Sequence, residues 1–87
     1  MEKEKRLRLK KEAHVLKPTV TVGKSLVNEN VLKELQAQLK RNGLVKVKAM
    51  QSARNEAGMD SIAEELCGTT GAEVVEIKGG TVVLYRK

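Results

Sequence analysis

The chain is nearly devoid of aromatic side chains: Tyr85 is the only one among 87 residues, and there is no phenylalanine or tryptophan. A mechanism that stacks several bases on aromatic rings is thereby excluded. A single cysteine, Cys67, rules out an internal disulfide framework, and a single histidine, His14, leaves no Cys/His set for zinc. No apolar run approaches the ~20 residues that a membrane-spanning helix needs. The opening residues Met1-Glu2-Lys3-Glu4-Lys5-Arg6 lack the apolar segment of a secretory signal, and the interspersed Glu2, Glu4 and Glu12 do not suit a transit peptide. A free thiol without an export signal leads us to expect a reducing, cytoplasmic setting.

What the chain does have is charge beside small aliphatic residues. At 40% hydrophobic and 32% charged it reads as a soluble globular domain rather than a disordered segment. A chain this short buries only roughly 60% of the surface its unfolded form exposes, so one thin core is expected. The net charge of +6 is uneven. Residues 1–17 hold seven Lys or Arg against three Glu, and residues 18–48 hold six against two. Residues 49–87 reverse the balance, with four basic residues against six acids. The basic first half would attract a polyanion, with nucleic acid ahead of acidic protein or membrane surfaces. The plainer alternative is a solvated, lysine-rich surface.

Residues 3–16 read as a basic helix with Leu9, Ala13 and Leu16 as its apolar stripe and Lys5, Arg6, Arg8, Lys10 and Lys11 around it. Pro18 ends it. Thr19-Val20-Thr21-Val22 alternates as a short strand, and Gly23-Lys24-Ser25 breaks it. Val31, Leu32, Leu35 and Leu39 then mark a helix with Asn28 as N-cap and Gly43 just past its end. Leu44-Val45-Lys46-Val47-Lys48-Ala49 is a second strand. Lys46 and Lys48 share one of its faces, which is either part of a basic surface or an exposed edge. Gln51–Gly58 reads as a loop or helix entry, and Met59, Ile62, Ala63 and Leu66 mark a third helix. Strands at Glu73–Ile77 and Thr81–Tyr85 are joined through Lys78-Gly79-Gly80, whose glycines suit a tight hairpin. The expected architecture is one α/β (α+β) domain over residues 1–87, ordered α-β-α-β-α-β-β. Its four-stranded sheet is mixed and packed with helices, and residues 1–6 form a frayed basic N-terminus.

Catalytic constellations do not assemble. His14 has no evident nucleophile beside it and is expected to be a packing or hydrogen-bonding residue, while Cys67 lies on the apolar side of its helix as a small core residue. Gly23-Lys24-Ser25 has the ending of an NTPase phosphate loop, but the glycine required five positions earlier is Pro18. What survives is a short turn between strand and helix that aims backbone N–H groups, the Lys24 charge and the Ser25 hydroxyl at one spot, suited to one phosphate.

Four segments together resemble a known family. Ala13-His14-Val15-Leu16-Lys17-Pro18, Val22-Gly23-Lys24-Ser25, Leu44-Val45-Lys46-Val47-Lys48 and Val82-Val83-Leu84-Tyr85-Arg86 are similar, in order and spacing, to the CRM domain, also called the YhbY-like family, over about residues 7–87. The resemblance implies an RNA-binding domain similar in fold to the C-terminal domain of bacterial translation initiation factor three. Stand-alone prokaryotic members are associated with precursors of the large ribosomal subunit, and multi-copy plant organelle members with intron splicing. The family's Gly-x-x-Gly loop matches Gly23, Lys24 and Ser25, but its fourth place is Leu26 here. A leucine disfavours positive φ, which shifts the expected phosphate contacts toward neighbouring lysines.

The resulting expectation is a non-enzymatic protein that binds structured RNA, in particular ribosomal RNA or pre-large-subunit particles. Gly23, Lys24 and Ser25 contact phosphate, and Lys10, Lys11, Lys17, Lys33 and Lys40 supply the surrounding field. No cofactor, metal, membrane or small-molecule substrate is expected, and Tyr85 belongs in the core or at the sheet margin. The rival reading is a small protein–protein adaptor whose RNA affinity is incidental.

Overall fold

In a computed structural model that describes all residues 1–87, the chain runs α1 (Lys3–His14), β1 (Val20–Val22), α2 (Glu29–Asn42), β2 (Leu44–Ala49), α3 (Gln51–Ala57), α4 (Met59–Thr70), β3 (Glu73–Lys78) and β4 (Thr81–Tyr85). The strands form one mixed sheet in the order β1-β2-β4-β3. β1 and β2 are parallel, joined through α2, while β2–β4 and β4–β3 are antiparallel.

The ends of α2 follow its capping residues. The Asn28 side-chain oxygen accepts from the Val31 N–H at 3.0 Å, and Gly43, at φ +77°, donates its N–H to the Leu39 carbonyl at 2.8 Å. Leu35 and Leu39, one turn apart, carry the helix into the core. The segment read as a loop or helix entry, Gln51–Gly58, forms a separate helix, α3, over Gln51–Ala57, so four helices are present rather than three. Its only buried residue is Ala53, too little apolar periodicity to signal a helix, and tertiary packing decides the outcome. The segment expected to fray begins α1 at Lys3, where the Arg6 N–H reaches the Glu2 carbonyl at 2.9 Å. No helix is long and apolar enough to cross a membrane.

Helices cover the two sheet faces unequally. On one face, α2, α3 and α4 enclose a cluster of fourteen buried residues that includes Val22, Leu35, Val47, Ile62, Leu66, Val82 and Leu84. On the other, α1 alone closes a cluster of four: Leu9, Ala13, Val75 and Val83, with Leu44 and Tyr85 at its margin. A bulge in β3 between Val74 and Glu76 places Val75 against α1 while Glu76 still pairs with Val83. Tyr85 is half-buried there with the Lys5 Nζ 4.7 Å from its ring centre, so the ring serves the sheet margin.

Candidate nucleic-acid interface

Strand direction decides which loops meet. The C-terminal ends of β1 and β2 lie at the same end of the sheet as the β3–β4 turn. There the Met50 N–H donates to Val22 O at 2.8 Å and the Ala49 N–H to Gly80 O at 2.7 Å. Glycine suits position 80, because an added Cβ would come tightly within 3.2 Å of the Ala49 carbonyl oxygen and 3.3 Å of the Arg54 guanidinium. Arg54 of α3 therefore stands directly over the hairpin turn.

Gly23-Lys24-Ser25-Leu26 forms a β-turn closed by the Leu26 N–H to the Gly23 carbonyl at 2.9 Å. Lys24 and Ser25 are exposed, and their backbone N–H groups donate to nothing within the chain. Asn28 already caps α2, so the turn supplies free donors beside the positive end of the helix dipole. The expectation for Leu26 is corrected. It adopts φ +59°, the only non-glycine residue in the chain with positive φ, so the loop keeps the shape that a glycine would permit. Its half-buried side chain packs on the main core and offsets the backbone strain.

Beside this turn, one residue from each strand forms a polar row on the face that α1 leaves open: Thr21 pairs with Lys48, Lys48 with Thr81, and Thr81 with Lys78. At strand spacing the row spans about 14 Å. Lys48 and Lys78 are exposed along it. β2 is thus an inner strand, and the edge reading of its lysine face does not hold. Lys46, one step further in, is half-buried and committed to structure: its Nζ donates to the carbonyls of Ala13 at 3.2 Å and Leu16 at 3.3 Å, capping the C-terminal end of α1.

The expected site residues divide accordingly. Gly23, Lys24 and Ser25 come together at the turn. Lys10 lies under α1 beside Lys46 and Lys78, close to the polar row. Lys33 and Lys40 project from α2, on the opposite side of the sheet. Lys40 is about 18 Å of helix away from the cap at Asn28, and Lys33 is 4.0 Å from Glu29 in an exposed pair. Lys17 lines a groove with Leu16, Thr19 and Leu44, at the far end of β2, and Lys11 is exposed on α1. Arg54 and Lys78 stand at this end of the sheet as well, and Lys48, read from the sequence as a face of its strand, joins them there. For the two lysines the available signal was alternation within their strands, which puts each on a face without saying which face stays bare.

His14 is exposed at the rim of α1 rather than packed, because Leu9 and Ala13 define the buried seam and the next residue turns away from it. Cys67 packs half-buried against the main core. Burial, with the nearby Glu73 carboxylate, pushes its thiol above the ordinary value, which keeps it protonated and a poor nucleophile.

These features define a class: a small α/β domain whose mixed sheet is covered by three helices on one face and ends, on the other, in lysines beside a Gly-Lys-Ser turn. The chain belongs to the CRS1 / YhbY (CRM) domain family, whose profile matches residues 1–86. It is 43% identical over 78 residues to the Probable RNA-binding protein MJ0652 of Methanocaldococcus jannaschii, covering 90% of this chain but 58% of that protein, so it spans little more than half of that relative. It is 35% identical over 85 residues to the Probable RNA-binding protein YqeI of Bacillus subtilis, covering 98% of this chain and 85% of that protein. Among solved structures, the solution structure of the hypothetical protein SAV1595 from Staphylococcus aureus superposes with a TM-score of 0.81 at 28% identity, covering 100% of this chain and 88% of that one. The expected fold class, a four-stranded mixed sheet packed with helices, is the one found.

Proposed function

We propose that the protein binds structured RNA, without catalysis, through the sheet end that joins the Gly23–Ser25 turn to Lys48, Arg54 and Lys78, and that its target is ribosomal RNA during assembly of the large subunit in the cytoplasm. The observation that carries this reading is the pair of free amides at Lys24 and Ser25 at the same end of the sheet as three exposed cations from three other elements. Free N–H groups and cations spread along one end suit the phosphates of a strand, and a row of polar side chains without aromatic rings suits RNA shape rather than base stacking. The RNA-binding names of two relatives agree with it. The ribosomal assignment draws on what the family resemblance implies for prokaryotic members of the CRM family.

Lys24→Ala tests the turn. In RNA-binding titrations at several salt concentrations, the expected outcome is a severalfold loss of affinity and a slope of log K against log salt shallower by about one phosphate contact. An unchanged affinity and slope in a folded variant would remove Lys24 from the interface. Ultraviolet crosslinking in cells tests the target. Crosslinks concentrated on one region of large-subunit ribosomal RNA support assembly, and crosslinks scattered by abundance reduce the protein to a general RNA binder. Protein partners that persist in a pull-down after nuclease treatment would favour the adaptor reading instead.

A further inference from the structure

Between the C-terminal half of α1 and the open part of the sheet lies a cleft of about 100 Å³, walled by Lys10 and His14 of α1, Lys46 of β2, Glu76 and Lys78 of β3 and Thr81 of β4. Three lysines and one glutamate line it. None of them is paired off, because the chain's two ion pairs lie elsewhere, at Met1–Glu73 and Lys33–Glu29. Lys46 is held in place by two carbonyls of α1, which leaves the third N–H of its ammonium free for a guest. Thr81 and His14, which also line the cleft, are further side chains able to donate a hydrogen bond.

We propose that this cleft is a second anion site, distinct from the Gly23–Ser25 turn, that takes one phosphate group. The volume accommodates several waters or a single tetrahedral oxyanion, and the excess of cations over the one carboxylate disfavours a metal ion. Two sources of phosphate share this chemistry: the RNA backbone and free phosphate. The backbone assignment rests on the RNA reading above, and it follows from continuity. Lys78 and Thr81 belong both to the cleft and to the row Thr21–Lys48–Thr81–Lys78, which leads to the end of the sheet where the turn lies. A strand clamped at the turn would cross the row and place a second phosphate under α1. Glu76 opposes the guest, so its charge limits affinity and invites a substitution that gains function.

Four proteins decide the matter: the natural chain, a Lys10→Gln/Lys78→Gln double variant, Glu76→Gln and, for the turn, Lys24→Ala. Inorganic phosphate, added to isotope-labelled protein and followed by NMR, is expected to shift the amides of His14, Lys46, Lys78 and Thr81. The shifts should disappear in the double variant and saturate at lower phosphate in Glu76→Gln. A labelled RNA hairpin should bind about threefold to tenfold more weakly to the double variant and about twofold to threefold more tightly to Glu76→Gln. A gain of affinity cannot arise from misfolding, so the Glu76 arm guards the result. Phosphate shifts that survive the double variant, or no shift at these amides, overturn the site. Hairpin binding that weakens in Lys24→Ala yet ignores all cleft substitutions overturns the backbone assignment while leaving the turn intact. A natural chain that fails to bind the hairpin overturns the RNA reading itself, and the phosphate titration still decides whether the cleft is an anion site.

Discussion

The two faces of the sheet are built to different ends. Under α2, α3 and α4, fourteen buried residues interlock, and β2 supplies Val45, Val47 and Ala49 to them in strict alternation. The opposite positions of the same strand are Leu44, Lys46 and Lys48: Leu44 packs on the small cluster under α1, Lys46 reaches it through the Ala13 carbonyl, and Lys48 is exposed. In β4, by contrast, Val82, Val83 and Leu84 are all buried, because α1 crosses that strand and closes its second face. Where α1 ends at His14, the second face is left to lysines and threonines. The difference teaches that stability and recognition are separated by face. Cations can be held bare on a sheet only where another face carries the burial.

The largest effect expected from this division is in the core. Leu35 is fully buried within the fourteen-residue cluster, and Leu35→Ala should cost about 3 kcal/mol in denaturant titration, with one cooperative transition. Leu9 is almost as buried, but in a cluster of four held by a single helix. Leu9→Ala should cost about 2 kcal/mol and act locally, so that the α1 amides exchange with solvent well before those of β2 and β4. Equal losses, with uniform acceleration of exchange, would show that α1 belongs to the same cooperative unit and would erase the distinction between faces.

A smaller effect is expected at the one lysine that serves both ends. Lys46→Met keeps the aliphatic stem that lies along the sheet and removes the charged donor to Ala13 and Leu16. The expected loss is about 1 kcal/mol, seen as faster exchange in the last turn of α1, together with weaker RNA binding as the cleft loses a charge. A variant as stable as the natural chain, with unchanged exchange in α1, would mean that the Leu9–Ala13 seam suffices to hold the helix.

How much of this could be read from residues alone depends on range. The ends of α2 were legible because Asn28 and Gly43 act within a few residues, and β2 was legible because its alternation is internal. The Gly23–Ser25 turn was legible for the same reason. α3 was not, since one buried alanine makes no pattern and its packing comes from the rest of the fold. Nor was the basic end of the sheet. Lys48 and Lys78 are thirty positions apart and become neighbours of Thr81 only through the registers of two strand pairs. Arg54 joins them from α3, with its guanidinium packed close over Gly80. Lys33 and Lys40 share α2, but Lys33 lies near its N-terminus beside Glu29 whereas Lys40 lies in its last turn, a difference of place that charge alone does not reveal.

Position 26 gives the finest test of the separation, because one residue there answers to both faces. Its backbone shapes the phosphate-facing turn, and its side chain packs on the core. Holding a leucine at φ +59° costs about 1–2 kcal/mol, and partial burial of its side chain contributes a similar amount in the opposite sense. Leu26→Gly removes both at once, so stability should change by no more than about 1 kcal/mol, while glycine frees the turn to sample other shapes. RNA affinity is then the sensitive readout. If the leucine serves to lock the turn with the amides of Lys24 and Ser25 outward, the glycine variant should bind RNA more weakly at nearly unchanged stability. Tighter binding would show instead that the side chain obstructs close approach of the backbone to phosphate, and that the turn has given up affinity for a better-packed core.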